Sequence, residues 1–376
     1  MEEIGRIIAG SDRFLHREIT DFTIGITQQC NCRCSYCCYS GEYAGMRKHA
    51  DNSMSQEIML DAISFIKNQA HKTDTIIVSF YGGEALVKFS QVIYMIERLY
   101  AIFGDRVLFD ITTNGLLLTN DTVDRLMQYN IGISVSLDGC KSIHDRNRRN
   151  IAGGGTYDQV VSNLLRFKER YPAEYKKRIQ LLVTVGGIED IMEMNKTFPE
   201  FAELLGEKPP YIARIYPNFK KGELYEDDMS KMQEFMEEAV IHKQNGQYDF
   251  YTIMLDELLK DANKKLNVGS EKIQIRTCLD DMRHIFIDTD GRLYPCEKFD
   301  TRHYIGTLQS GIDKKLLYKW SSIFHFRRSV LCKDCEFFEY CSRCLVDLKM
   351  SYSENKQMCE EYKKHIELAL LYSKKK

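Results

Sequence analysis

No stretch of this 376-residue chain approaches 18 consecutive apolar residues, so the sequence offers no membrane-spanning helix. Its first residues, MEEIGRIIAGSDRF, lack the basic flank and long apolar block of a secretion signal. Net charge is nearly absent: 52 Lys and Arg stand against 54 Asp and Glu, a balance of −2, and the basic residues are scattered rather than gathered on one face. Nucleic acid is therefore not an expected partner, and neither is a membrane. The sequence shows no internal repeat and no low-complexity linker. The expectation is a cytoplasmic protein, long enough for one large core and a second module.

Cysteine, by contrast, is abundant, with 13 residues. In a reducing compartment an odd number of clustered cysteines argues for metal ligation and against a disulfide framework. From Cys30 to Tyr39 the chain reads CNCRCSYCCY, and Cys30, Cys34 and Cys37 stand in the spacing CxxxCxxC just after an apolar run ending at Thr27. Three thiolates on one loop can hold three irons of a cubane cluster and leave the fourth open to a small molecule. Cys32 and Cys38 fit no second triple of that spacing and read as free or packing thiols, and Cys140 as an ordinary one.

Apolar, β-branched runs occur at 22–27, 75–82, 106–115, 131–139, 179–187 and 211–218. Between them, Met59, Ile63 and Ile66, then Val92, Ile93, Ile96 and Leu99, then Val160, Val161, Leu164 and Leu165 recur at helical spacing. Ser55, Thr119 and Thr156 stand where such helices begin. Six strands alternating with helices predict a parallel α/β sheet, open or closed into a partial (β/α)6 TIM-like barrel. Chemistry in such folds gathers at the C-terminal strand ends. There this chain places the cysteine loop, Gly82, Gly83 and Glu84, then Thr113 and Asn114, then Ser136 and Asp138.

A triple-cysteine loop after strand one and a glycine–glycine–acid turn after strand two resemble the radical SAM superfamily over roughly 21–218, including Tyr36 before the last cysteine. In that family a [4Fe–4S] cluster chelates S-adenosylmethionine (SAM), and one electron releases a 5′-deoxyadenosyl radical. The resemblance implies that Cys30, Cys34 and Cys37 hold this cluster, and that Gly82, Gly83 and Glu84 receive the methionine ammonium. It further implies that Ser136 and Arg148 contact the SAM carboxylate and ribose, with Arg146 and Arg149 as alternatives to Arg148. Tyr39 would lie near the adenine or the substrate. The adjacent His144 and Asp145 read better as structural residues than as a catalytic pair.

A second cysteine set, Cys278, Cys296, Cys332, Cys335, Cys341, Cys344 and Cys359, resembles the SPASM extension, which carries two auxiliary [4Fe–4S] clusters. Two residues separate Cys341 from Cys344 where the usual pattern has three. The alternative is zinc on paired CxxC knuckles. Only five residues separate the knuckles, and zinc would leave Cys278, Cys296 and Cys359 idle. By the family's ligation Cys332, Cys335, Cys341 and Cys359 would hold the outer cluster, and Cys278, Cys296 and Cys344 the inner one. Sulfatase maturases add a cysteine at the position of His284. Either His284 completes the inner site or one iron is open to a substrate thiolate, and the open site is the reading adopted. The expected organisation is a 1–20 extension, the 21–218 barrel, a 219–270 helical bridge over the barrel mouth, a 271–362 SPASM domain and a 363–376 helical tail.

The segments LYPCEKFD, YIGTL and HDRNRR look most like maturases that crosslink ribosomally made peptides through thioether or carbon–carbon bonds. Anaerobic sulfatase maturation to formylglycine is the alternative, and a non-catalytic iron–sulfur or zinc module the alternative of another class. Only 29 residues precede Cys30, so a crosslinking maturase would need a separate leader-recognition protein or direct recognition of the core peptide. A peptide or protein substrate and an external donor such as flavodoxin or ferredoxin are the other expected partners.

Overall fold

A computed structural model describes residues 19–373 apart from 44, 71–73, 207–209, 215–228, 267–281, 333 and 338–351. Six parallel strands form its centre: β1 (Asp21–Thr27), β2 (Ile76–Gly82), β3 (Val107–Thr113), β4 (Ile131–Ser136), β5 (Ile179–Val185) and β6 (Tyr211–Arg214). They pair in sequence order, as the alternation of runs and helices predicts. Residues 215–218 of the sixth run lie outside the described residues. Ser55 and Thr119 cap their helices by accepting the N–H of Ile58 and Thr122. Thr156 precedes its helix without capping it, because its hydroxyl is engaged elsewhere.

Burial alternates along β3 and β5. Val107, Phe109, Ile111 and Thr113 are buried while Leu108, Asp110 and Thr112 are half-exposed, and Ile179, Leu181, Val183 and Val185 alternate with Gln180, Leu182 and Thr184 in the same way. A doubly covered parallel sheet would bury both faces. Here one face packs on helices, as Phe22 does edge-on against Phe65 of the helix Gln56–Gln69 at 6.4 Å. The other face carries Thr23, Ser79, Tyr81, Asp110, Ser134, Ser136 and Thr184, a polar lining suited to the inside of a partial barrel.

The sheet continues through the C-terminal region. β7 (His284–Ile287) pairs in parallel with β1, Asp21 opposite His284 and Ile24 opposite Ile287. β8 (Arg292–Tyr294), β9 (Gly306–Thr307) and β10 (Gly311–Ile312) follow antiparallel, so one sheet runs β10-β9-β8-β7-β1-β2-β3-β4-β5-β6. The helices Met229–Gln244 and Phe250–Leu266 pack on each other, on the helix Ile188–Lys196 and on the helix Tyr352–Ser373. That last helix buries Ile366, Ala369 and Tyr372, and the Tyr372 hydroxyl donates to Glu237. No helix among the described residues is long and apolar enough to cross a membrane.

Candidate active site

The cysteine loop is wedged between two parts of the barrel rim. On one side Gly82 and Gly83 lie against its base: Gly83 donates to the Thr27 carbonyl and Glu84 to the Gln29 carbonyl, both at 2.8 Å. A Cβ on Gly83 would come 2.2 Å from the Gln29 oxygen, and Gly82, at φ +146°, would meet the Thr27 oxygen at the same distance. Only glycine allows so close an approach of two backbones. On the other side Arg33 N–H donates to the Arg149 carbonyl at 2.7 Å and Ser35 N–H to that of Asn147 at 2.8 Å.

Each of the three motif sulfurs receives an N–H donor. Cys30 Sγ accepts from Cys32 N at 3.4 Å and from Asn114 Nδ2 at 3.9 Å, Cys37 Sγ from Tyr39 N at 3.3 Å, and Cys34 Sγ from Arg148 Nη1 at 4.0 Å. Donors aimed at sulfur favour the thiolate, the form that binds iron, so the donor set fits an iron–sulfur cluster. The Cys34 thiol is lowered to about 7, first by its hydrogen bond with Cys32 and then, against burial, by Arg148. Cys32 hydrogen-bonds both Cys30 and Cys34, and Cys37 bonds Cys38. Among the described residues no three ligand side chains converge on a single ion. A cubane requires no such point, since each cysteine takes its own iron. No disulfide joins any of the ten described cysteines.

Glu84 turns inward, 2% exposed, and its carboxylate accepts Leu86 N at 3.0 Å, Thr113 Oγ1 at 2.8 Å and Asn114 N at 2.7 Å. Burial pushes its carboxyl above the usual range, and these donors pull the other way. Its carboxylate thus ties the end of β2 to the end of β3, where Asn114 reaches back to Cys30. Ser136 closes β4 and is buried. Tyr39 is buried with its ring 6.2 Å from His49 and 6.4 Å from Tyr81.

The structure separates the three arginines. Arg146 forms a two-bonded pair with Asp190 at 2.7 and 2.9 Å, Arg149 is exposed, and Arg148 is buried beside Cys34. His144 and Asp145 are structural, as their adjacency suggests. His144 Nδ1 accepts the Asp138 N–H, and its Nε2 meets Thr156 Oγ1, which donates to the Arg148 carbonyl. Asp145 accepts the N–H groups of Thr156 and Tyr157. Burial lowers His144 to about 4, so it is neutral in the fold. Its contribution to stability is present in full above pH 6.5 and lost as pH falls towards 4, where the unfolded chain binds the extra proton. Thermal melts should show this loss, and His144→Gln should flatten the melting temperature between pH 6.5 and 4.

Sequence reading missed Arg47, because what surrounds it is remote in sequence. This buried side chain, 5% exposed, lies 4.4 Å from the Phe286 ring centre and 4.5 Å from that of Tyr294, and donates to the Glu297 carbonyl at 2.7 Å. Beside it Gly45 accepts the Thr301 N–H at 2.8 Å, so residues 45–47 strap the cysteine loop to the segment after Cys296. Among the described residues Arg47 Nε and Nη2 have no hydrogen-bond partner. Arg47→Ala should destabilise by about 2–3 kcal/mol in denaturant titrations, through the lost hydrogen bond and ring contacts. Arg47→Met fills the slot without burying a charge and should cost less than half as much.

Cys296 follows β8 and is half-buried. Cys332 and Cys335 share a turn closed by Cys335 N–H on the Cys332 carbonyl at 3.2 Å. Cys335 and Cys359 are half-buried. Cys278, Cys341 and Cys344 lie outside the described residues. His284 Nδ1 bonds the Pro295 carbonyl at 2.8 Å and so carries the proton, and its Nε2 bonds Thr23 Oγ1 at 2.8 Å. Both ring nitrogens are committed within the sheet, so of the two uses considered for His284, ligation of iron is not the one this geometry serves.

Residues 24–203 match the model of the radical SAM superfamily. The chain carries a radical SAM domain over these residues and is an enzyme that uses radical chemistry. Its cofactors are SAM and iron–sulfur clusters of the [4Fe–4S] type. It is 22% identical over 359 residues to a cysteine-type anaerobic sulfatase-maturating enzyme of Clostridium perfringens, covering 90% of this chain and 93% of that one. A GTP 3′,8-cyclase of Clostridium botulinum is 23% identical over 79% of this chain and 88% of its own. The solved structure of native anSMEcpe with bound AdoMet and Cp18Cys peptide superposes with a TM-score of 0.68 at 19% identity, over 95% of this chain and 99% of that one. The partial barrel is thereby the fold of this radical SAM enzyme.

Proposed function

We propose that this radical SAM enzyme oxidises a cysteine or serine side chain of a protein or peptide substrate to formylglycine. The observation that carries this reading is the likeness to cysteine-type sulfatase-maturating enzymes, which spans nine-tenths of both chains. Crosslinking of ribosomally made peptides, the first expectation from sequence, has no such support among the relatives named above, and the alternative takes its place.

In this reading Cys30, Cys34 and Cys37 hold the SAM-binding cluster, and the Gly82–Gly83 turn presents backbone to the methionine ammonium. When bound, cluster and SAM supply one electron and a hydrogen-abstracting carbon radical. From a cysteine, loss of one hydrogen atom and one further electron and proton leaves a thioaldehyde, which water converts to the aldehyde and hydrogen sulfide. The C-terminal cysteines, holding auxiliary clusters, would accept that second electron. The polar lumen lined by Ser79, Ser134 and Thr184 gives a peptide backbone hydrogen-bonding partners within the barrel.

A second reading rests on His284. With its imidazole spent on Thr23 and Pro295, only Cys278, Cys296 and Cys344 remain for the inner cluster. An iron left open there would bind a substrate thiolate and favour a thioether. Incubating reconstituted enzyme with SAM, reductant and a cysteine peptide separates the two. An aldehyde trapped by a hydrazide, with sulfide released, supports formylglycine formation. A product that keeps its sulfur in a new carbon–sulfur bond contradicts it.

A further inference from the structure

The three motif sulfurs differ in the charge of their donors. Cys30 and Cys37 receive backbone and amide N–H groups, Cys37 with the His49 ring beside it, whereas Cys34 faces a guanidinium, Arg148 Nη1 at 4.0 Å. This guanidinium is held on two sides, and the two groups that hold it are joined to each other. Arg148 Nε donates to Asp138 Oδ2 at 2.8 Å, its Cζ lies 5.2 Å from the centre of the Tyr36 ring, and the Tyr36 hydroxyl donates at 2.5 Å to the same Asp138 oxygen.

Asp138 is itself fixed. It is fully buried, its Oδ1 accepts the Thr184 N–H of β5 at 2.9 Å, and its own N–H donates to His144 at 3.2 Å. Thr156 then holds the Arg148 carbonyl at 2.9 Å. A planar fork restrained at its Nε, at its face and at its backbone has little freedom to point elsewhere. The ion pair also has a direction, with its negative end in the β4–β5 rim and its positive end against the sulfur.

We propose that Asp138 is a positioning residue that aims Arg148 at the Cys34 sulfur, and that this charged N–H···S contact raises the reduction potential of the cluster bound there. Hydrogen bonds and positive charge at a ligating sulfur stabilise the reduced cluster, which carries one more negative charge. The effect eases loading of the electron that SAM cleavage consumes. The inference rests on the assignment of the SAM-binding cluster to Cys30, Cys34 and Cys37. It gives Arg148 a task at the metal centre that a contact with SAM does not include.

The test is a redox titration of the anaerobically reconstituted full chain, following by electron paramagnetic resonance the reduced cluster whose spectrum changes on adding SAM. At the potential that half-reduces the parent, Arg148→Gln should lower the ratio of reduced to oxidised cluster about tenfold, 59 mV for a one-electron couple. Arg148→Lys, which keeps the charge but lacks the fork, should fall between the two. Arg146→Gln should stay within twofold of the parent, its guanidinium being spent on Asp190. Introduced into Asp138→Asn, the Arg148→Gln change should shift the ratio by less than half as much as in the parent.

A ratio within twofold of the parent in Arg148→Gln overturns the inference, and an undiminished shift in the Asp138→Asn background overturns the positioning role. Should Arg148→Gln take up no iron, Arg148→Lys decides, and a parental ratio there overturns the proposal. A parent with no SAM-responsive signal instead refutes the cluster assignment and the inference with it.

Discussion

Replacing Cys30, Cys34 and Cys37 together by Ala is expected to abolish 5′-deoxyadenosine formation while leaving iron in the C-terminal region. The three sulfurs share one loop in the CxxxCxxC spacing, and each has its own N–H donor. That is the arrangement that leaves one iron of a cubane for SAM. Cys32 and Cys38 should not substitute for the lost ligands. With Cys30 and Cys34 gone, burial still holds the Cys32 thiol up, and Cys32 and Cys38 together are two thiols that cannot restore a CxxxCxxC triple. Chromatography of the SAM reaction and iron analysis of the same sample provide the check. Residual 5′-deoxyadenosine in the triple variant would remove the assignment, whereas loss of all iron would show that the C-terminal cysteines hold none independently.

Gly83→Ala is the single substitution expected to approach that effect. Its Cβ would meet the Gln29 carbonyl oxygen at 2.2 Å and that of Gln28 at 2.8 Å, both backbone atoms that cannot swing away as a side chain would. Relief requires the turn and the cysteine loop to separate at the residue before Cys30. A displacement of about 1 Å at a reacting centre lowers rates on the order of 100-fold, and a fall of that size in SAM cleavage is the expected outcome. By contrast, a Cβ on Gly104 meets nothing within 4 Å, so Gly104→Ala should cost only the backbone strain of its φ of +57° and ψ of −136°, about 1–3 kcal/mol. Measuring SAM cleavage in both variants isolates the clash from a general intolerance of alanine.

Local pattern in the sequence reached far into this protein. The strand runs, the caps at Ser55 and Thr119 and the cysteine loop all follow from periodicity and spacing over a dozen residues. What it could not reach were pairings between distant segments. β7 joins β1 across some 260 residues, and nothing in HIFI says which edge it will choose. Tyr36 meets Asp138 from 102 positions away. Asp138 stood among the unusual residues at strand ends, yet its part as the hub of Tyr36, Arg148 and Thr184 needed coordinates. Glu84 shows another limit. An acid after two glycines suggests a counter-charge for an ammonium, but only the folded chain shows its carboxylate already shared among Leu86, Thr113 and Asn114. His284 was ambiguous for a similar reason, since its two partners, Thr23 and Pro295, are invisible to spacing.

The central claim is that a SAM-derived radical takes hydrogen from the Cβ of a substrate cysteine on the way to formylglycine. A peptide bearing cysteine deuterated at Cβ tests it most directly, with mass spectrometry of both products after one anaerobic turnover. The account predicts deuterium in 5′-deoxyadenosine and an aldehyde in the peptide. Deuterium-free 5′-deoxyadenosine, formed while the peptide keeps both Cβ deuterons, would contradict it.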